Sequence, residues 1–142
     1  MLSRRLLVIA AASLSLLLGG CSLAGGSSTG SSGGFTGTKA LVASTLNLLA
    51  SDSSSTSNGA DICAHVLSTQ LQTRLNKIEK CSTIIDNQLK TIDDTTLTIK
   101  SIAVSGSNAT ARVQTVTYGK KVISTVTLHN ETAGWRITGL SG

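Results

Sequence analysis

The sequence predicts an α+β domain, in which amino-terminal helices pack on one side of a curved four-stranded antiparallel sheet. Two observations lead to this fold class. Apolar residues recur at helical spacing from Thr38 to about Leu89, whereas the chain from Thr95 onward has runs rich in Thr, Val and Ile between short polar turns. Short turns make neighbouring strands antiparallel, so consecutive runs form a meander. We assign this domain to residues 35–142.

The first segment of the chain, residues 1–20, is predicted to be a signal peptide. It begins with the basic pair Arg4 and Arg5, continues with an apolar stretch over residues 6–18, and ends in small residues. The alternative is a retained transmembrane helix, but a membrane span needs about 20 apolar residues and this stretch is shorter. We therefore expect export and cleavage.

Residues 18–21 have the sequence Leu-Gly-Gly-Cys, which resembles the bacterial lipobox. In such lipoproteins the cysteine thiol receives a diacylglyceryl group, and cleavage then makes this cysteine the first mature residue. The resemblance implies that Cys21 is lipidated, which would hold the protein at the extracytoplasmic face of the cell membrane. The alternative is an ordinary signal peptide followed by a cysteine that matches by chance.

The segment after Cys21 contains almost only Ser, Gly and Thr as far as residue 34. This composition cannot bury enough apolar area to order the chain. Residues 21–34 are therefore expected to form a lipidated cysteine and a flexible tether, whose thirteen residues after the cysteine span about 20 Å on average.

Charge and aromatic content exclude one class of partner. The chain has 12 Lys and Arg against 7 Asp and Glu, and its formal net charge of +5 falls to +3 when Arg4 and Arg5 leave with the signal peptide. The basic residues are scattered, and the aromatic residues are limited to Phe35, Tyr118 and Trp135. We therefore expect no nucleic-acid partner. A weak attraction to anionic lipid headgroups follows from the charge alone.

Cys63 and Cys81 are the two thiols that remain once Cys21 is assigned to lipid. In an oxidising compartment we expect them to form a disulfide, which would contribute about 3 kcal/mol by restricting the unfolded chain. The alternative is a zinc site, but no further Cys or His stands at ligand spacing. No metal or other cofactor is expected.

Three helices are predicted before the strands. The first covers residues 38–50, the second begins at an Asp61 cap and extends to about Leu75, and the short third helix carries Cys81. The disulfide would then join the second helix to the third.

The predicted strands follow Asp93 and Asp94 and cover residues 95–104, 109–118, 121–129 and 135–138. The turn between the second and third strands is placed at Gly119 and Lys120. One face of the third strand is mostly apolar and needs a cover, which the helices supply; it comprises Val122, Ser124, Val126 and Leu128.

Several local sequences support a family resemblance over residues 35–142. They are Leu67-Ser68-Thr69-Gln70-Leu71 in the second helix, the two helical cysteines, Val104-Ser105-Gly106 between strands, and the closing Gly134-Trp135-Arg136-Ile137. With three helices before a sheet, the chain resembles small actinobacterial lipoproteins of the nuclear transport factor 2-like superfamily. The resemblance implies a cone-shaped fold closed by Trp135. This fold serves isomerases, dehydratases, transport factors and binding domains alike, so it implies no single activity.

Enzymes of this superfamily that resemble ketosteroid isomerase place an Asp base and a Tyr donor inside the cone. The resemblance points to Asp93, Asp94 and Tyr118, with His65 and His129 as further candidate bases. Each has a plainer role as a turn, strand-end or surface residue. The candidate cavity-lining residues are Asp93, Asp94, Tyr118 and Trp135, and no catalytic residue is assigned.

Three functional hypotheses follow. We favour a membrane-tethered, non-enzymatic domain of the cell envelope that binds a small apolar ligand or another envelope protein. The alternatives are an isomerase-like or hydratase-like enzyme acting on a small apolar molecule, and a purely structural envelope protein. A filled cone interior favours binding or structure, whereas an open pocket with a carboxylate beside Tyr118 favours catalysis.

Overall fold

The computed structural model describes residues 34–55, 58–91 and 96–142. In these ranges the chain forms four helices followed by one open, four-stranded antiparallel sheet, so the predicted α+β class is confirmed. The signal peptide, Cys21 and most of the tether lie outside the described residues, as do Asp93 and Asp94. None of the helices within the described ranges has both the length and the apolar composition needed to cross a membrane.

The elements lie close to their predicted positions. The helices are α1 (Gly37–Asp52), α2 (Gly59–Asp61), α3 (Thr69–Asn76) and α4 (Cys81–Leu89), with a π-helical turn over Ile62–Val66 between α2 and α3. The strands are β1 (Thr96–Ser105), β2 (Asn108–Thr117), β3 (Lys120–Glu131) and β4 (Gly134–Ser141). They are hydrogen-bonded in the order β1-β2-β3-β4, as in a meander.

The second predicted helix is wrong as a single element. The chain leaves the helical conformation at Leu67 and Ser68, whose ψ angles are 146° and 152°. The cause lies in the distant strand β4, because Ser68 N donates to Ile137 O at 2.8 Å and Leu67 forms a parallel bridge with Ile137. Leu67 and Ser68 thus provide hydrogen-bond partners for part of the open edge of β4. The periodicity of apolar residues in the helical segment does not reveal this contact.

Ser68 then serves as the cap of α3. Its Oγ accepts a hydrogen bond from Leu71 N at 3.2 Å, which satisfies one of the backbone donors that a helix start leaves without a partner. Ser68 is only 1% exposed, and its hydroxyl is therefore held in a fixed position where α3 meets the sheet.

The core lies between the helices and the inner face of the sheet, where α1 contacts both β1 and β4. Its buried helical members are Val42, Ala43, Leu46, Ile62, Cys63, Val66, Leu67, Cys81 and Leu89. Its buried strand members are Ile99, Ile102, Ala109, Ala111, Val113, Val126, Leu128, Trp135 and Ile137. Apolar side chains from both layers therefore fill the interior of the described domain.

The predicted apolar face of the third strand is only partly covered. Val126 and Leu128 are buried, but Val122 is exposed. This end of β3 also extends past β4, because β3 pairs with β4 only from Thr125 to Glu131.

The predicted disulfide between Cys63 and Cys81 is confirmed. It joins the π-helical turn to the first residue of α4, with a Cα–Cα distance of 6.3 Å. Both cysteines are buried, and Cys81 N donates to Asn76 Oδ1 at 2.8 Å. The bond and this hydrogen bond fix α4 against the preceding helical segment.

Candidate binding site

A groove of about 400 Å³ lies where the start of α3 meets the end of the sheet that carries the β1–β2 and β3–β4 turns. It is lined by six polar side chains, and we call it the polar groove: Ser68, Gln70, Asn108, His129, Glu131 and Thr138. Helix α3 and the strands β2, β3 and β4 contribute to it. Convergent polar groups are the part of a ligand site that fixes the orientation of the bound molecule.

His129 is oriented in this groove by a neighbouring amide. Its Nδ1 lies 2.9 Å from Asn108 Oδ1, and the two residues are opposite each other in the β2–β3 register. An amide oxygen only accepts hydrogen bonds, so Nδ1 is the donor in this pair. The sequence shows no acid partner for His129, and the structure supplies an amide partner instead.

Glu131 links the end of β3 to the start of α3. Its carboxylate accepts from Thr69 N at 3.1 Å and from Thr69 Oγ1 at 3.1 Å. Thr69 is the first residue of α3, where backbone N–H groups lack helical partners and the helix dipole favours a negative charge. Glu131 therefore holds one wall of the polar groove in place.

The register of the β2–β3 hairpin brings Asn108 and His129 together. The turn lies at Tyr118 and Gly119, one residue earlier than predicted, and it sets Thr117 opposite Lys120. Counting back along both strands from that pair sets Asn108 opposite His129. A two-residue turn is recognisable in the sequence and would indicate this pairing. The predicted turn at Gly119 and Lys120 is shifted by one residue, however, and so pairs Asn108 with a different residue.

A second groove, of about 290 Å³, lies between α1 and the turn that joins β3 to β4. Its lining includes the exposed Leu41 and Leu48 together with Trp135. Trp135 is buried, its carbonyl accepts from Thr45 Oγ1 at 3.1 Å, and its Nε1 has no hydrogen-bond partner in the described part of the chain. Trp135 thus belongs to the core and also lines this groove.

The two candidate histidine bases lie in different grooves. His65 is exposed on the π-helical turn and lines the groove beside α1, where its carbonyl accepts from Arg136 Nη1. His129 lines the polar groove. The structure therefore brings His129 together with Glu131, Ser68 and Asn108 but separates it from His65.

Tyr118 lies on the surface and not in the interior of the domain. It is 73% exposed and occupies the first position of the β2–β3 turn with a φ of 50°. The enzyme hypothesis places Tyr118 beside a carboxylate in an open interior, but buried apolar residues fill the described interior. Asp93 and Asp94 lie outside the described residues.

A cluster of charged groups lies near the end of α1. Burial raises the pKa of Asp52 above its ordinary value, the charge of Asp61 raises it further, and His65 opposes the shift. Asp52 is the last residue of α1, where the helix dipole also disfavours a negative charge.

Within the described ranges, no three His, Cys, Asp or Glu side chains come together in a way that could hold a metal ion.

The chain matches no protein-family model, no curated protein and no solved structure. Its functional interpretation therefore depends on its own residues. Among the grooves described here, the polar groove has the most convergent hydrogen-bonding groups and is the candidate binding site.

Proposed function

We propose that this protein is a lipid-anchored, extracytoplasmic lipoprotein whose folded domain is a non-enzymatic binding module. The observation that carries the proposal is the Leu18–Cys21 sequence, which stands directly between an apolar export segment and a Gly/Ser-rich tether. Several acyl chains on one residue would anchor it firmly, since each buried methylene contributes about 0.8 kcal/mol.

The Cys63–Cys81 disulfide supports this location. Structural disulfides form and persist in oxidising compartments and are rare in the cytoplasm. Such a bond also stabilises a small domain of this size, which buries only about two thirds of its unfolded surface.

The polar groove supports a binding function. Its carboxylate, imidazole, amide and hydroxyl groups can both donate and accept hydrogen bonds, which suits a polar, hydroxyl-bearing or amide-bearing ligand. The lining therefore favours a polar ligand over the small apolar molecule that the family resemblance suggests. The buried residues of the described core are nearly all apolar, whereas the convergent polar groups lie in a groove at the surface, which favours binding there.

We also propose that the α+β fold is a nuclear transport factor 2-like cone. Two features support this: α1 packs against strands of the antiparallel sheet, and Trp135 in the last strand is buried in the core. A protein partner in the envelope would dock on the same domain, within reach of the tether.

Cys21→Ser is expected to abolish lipidation. Cells that produce the wild-type chain are fed an alkyne fatty acid, and the purified protein is then conjugated to a fluorophore. The wild type should carry the label and sediment with membranes, whereas Cys21→Ser should carry none, because its hydroxyl cannot form the thioether. Ser22→Ala is the control and should be labelled like the wild type. An unlabelled wild type would contradict the anchor.

Gln70→Ala is expected to remove a ligand that copurifies with the domain. Gln70 is exposed in the polar groove, so its truncation removes an amide without disturbing the core. Native mass spectrometry of the detergent-extracted protein should show a bound mass in the wild type and its loss in Gln70→Ala. Gln88→Ala, an exposed change on α4, should retain the bound mass. Equal occupancy in all three proteins would remove the polar groove from the proposal.

A further inference from the structure

Large exposed apolar side chains gather at the turn between β2 and β3. Tyr118 is 73% exposed, and Val122 and Ile123 are each 49% exposed. Lys120 and Lys121 stand between them in the sequence and are also exposed. We call residues 118–123 the hairpin tip.

The hairpin tip extends beyond the packed body of the domain. Residues 120–124 of β3 pair with β2 on one side, whereas β3 pairs with β4 only from Thr125 onward. Val122 and Ile123 point to opposite faces of the strand, and both are exposed. The helices therefore do not cover the inner face at this end.

Tyr118 has a backbone conformation that is uncommon for an aromatic residue. Tyr118 and Gly119 have φ angles of 50° and 75°, which are typical of a type I′ turn with left-handed conformations at both central positions. Asn, Asp and Gly tolerate this conformation, whereas an aromatic residue there is strained.

The composition of the hairpin tip is that of a bilayer-contacting surface. Tyrosine is enriched at membrane–water interfaces, where its ring enters the apolar boundary and its hydroxyl stays hydrated. Lysines near the surface are attracted to anionic lipids. Residues 118–123 contain two lysines and no carboxylate, so their charge is complementary to an anionic surface.

We propose that the hairpin tip binds the surface of an anionic lipid bilayer, with Tyr118 and the neighbouring apolar side chains placed among the headgroups. One further argument rests on the proposed anchor at Cys21. Thirteen tether residues reach about 45 Å when extended, which exceeds the diameter of about 35 Å expected for this domain. The lipid anchor therefore does not select the face that meets the membrane, and the hairpin tip would do so.

The test uses the chain from residue 21 with Cys21→Ser, which contains the whole described core and carries no lipid. Its sedimentation is measured with vesicles of phosphatidylglycerol and phosphatidylcholine in equal amounts, and with vesicles of phosphatidylcholine alone. We expect binding to the anionic vesicles that weakens as salt is added. Lys120→Ala with Lys121→Ala should lower the partition coefficient about 30-fold, since each lysine near the surface contributes about fivefold. Lys77→Ala with Lys80→Ala removes the same charge elsewhere and should change binding by less than about threefold.

Tyr118→Asn tests the contribution of the ring to membrane binding. Asn suits the left-handed turn, which keeps the hairpin in its conformation, and vesicle binding should fall about tenfold through loss of the ring. Ile78→Asn removes an apolar side chain that is 82% exposed elsewhere, and it should leave binding unchanged.

Four results would overturn the inference. Three are a Cys21→Ser parent chain that does not bind anionic vesicles, equal losses in the two lysine pairs, and a Tyr118→Asn variant that binds like the parent chain. Self-association that depends on the hairpin tip, without vesicle binding, would assign the tip to a protein contact and overturn it as well. Because the tested chain carries no lipid, its result is independent of the Cys21 labelling experiment.

Discussion

Replacing both Cys63 and Cys81 with alanine is expected to lower the free energy of unfolding by about 3 kcal/mol. The bond closes a short loop, with a sequence separation of 18, and so restricts the unfolded chain. It also joins the π-helical turn to α4, which no hydrogen-bonded sheet connects. A domain of about 100 residues has a total stability of about 5–15 kcal/mol, so this loss is a large fraction of it.

The free energy of unfolding is measured in the chain from residue 21 with Cys21→Ser, by urea unfolding at pH 7 monitored by circular dichroism. The parent chain, in which Cys63 and Cys81 are intact, should fall to the stability of the alanine variant when dithiothreitol is added, because reduction breaks the same bond. Ala64→Ser, an exposed change on the π-helical turn, serves as the control and should shift the midpoint little. A loss below about 1 kcal/mol, or two free thiols in the denatured oxidised chain, would contradict the role assigned to the bond.

Gly59→Ala is expected to destabilise the domain by about 3 kcal/mol through overpacking. A Cβ at this position would lie 2.5 Å from Asp86 Oδ1 and 2.9 Å from Asp86 Cγ, and closer still to the backbone oxygen of Ser82. The backbone of α4 cannot yield as the end of a flexible side chain can. Helix α2 therefore packs directly on α4 through a bare backbone position.

The same close approach provides a hydrogen bond. Gly59 N donates to Asp86 Oδ1 at 2.7 Å, and a donor paired with a carboxylate forms a stronger bond than a neutral pair. An alanine at position 59 would push the helices apart and lengthen this bond, which adds to the steric cost.

Thermal and urea unfolding of Gly59→Ala should be compared with those of Ala60→Ser. The control adds one heavy atom at the next residue, which is exposed, and should cost less than about 0.5 kcal/mol. If the two variants lose the same stability, steric contact between α2 and α4 is not the cause.

The strands were predictable because their information is local. Runs rich in Thr, Val and Ile between short turns set both the order and the antiparallel direction of β1 to β4. The break in the helix at Leu67 and Ser68 was not predictable, because it depends on hydrogen bonding to Ile137, far away in the sequence. The helical period shows which residues form an apolar face. It does not show that an edge strand elsewhere in the chain will form hydrogen bonds with the backbone of these residues.

The polar groove was also predictable only in part from the sequence. Correct placement of the β2–β3 turn would have paired Asn108 with His129 from the sequence alone. The approach of Glu131 to Thr69 has no local signal, since it joins residues that are 62 positions apart. The family resemblance assigns Tyr118 to a cavity, whereas the two-residue turn gives Tyr118 a positive φ and places it at the surface.

The bridge between Leu67 and Ile137 also orders the folding of this chain in time. A polypeptide that crosses a membrane from its amino end delivers Cys63 and Cys81 well before Ile137. The disulfide can therefore form within a partly folded helical segment, whereas the start of α3 cannot reach its final arrangement until the last strand has arrived. If the chain is exported as proposed, its helical half would be exposed on the far side of the membrane, held together mainly by the disulfide, until β4 completes the sheet.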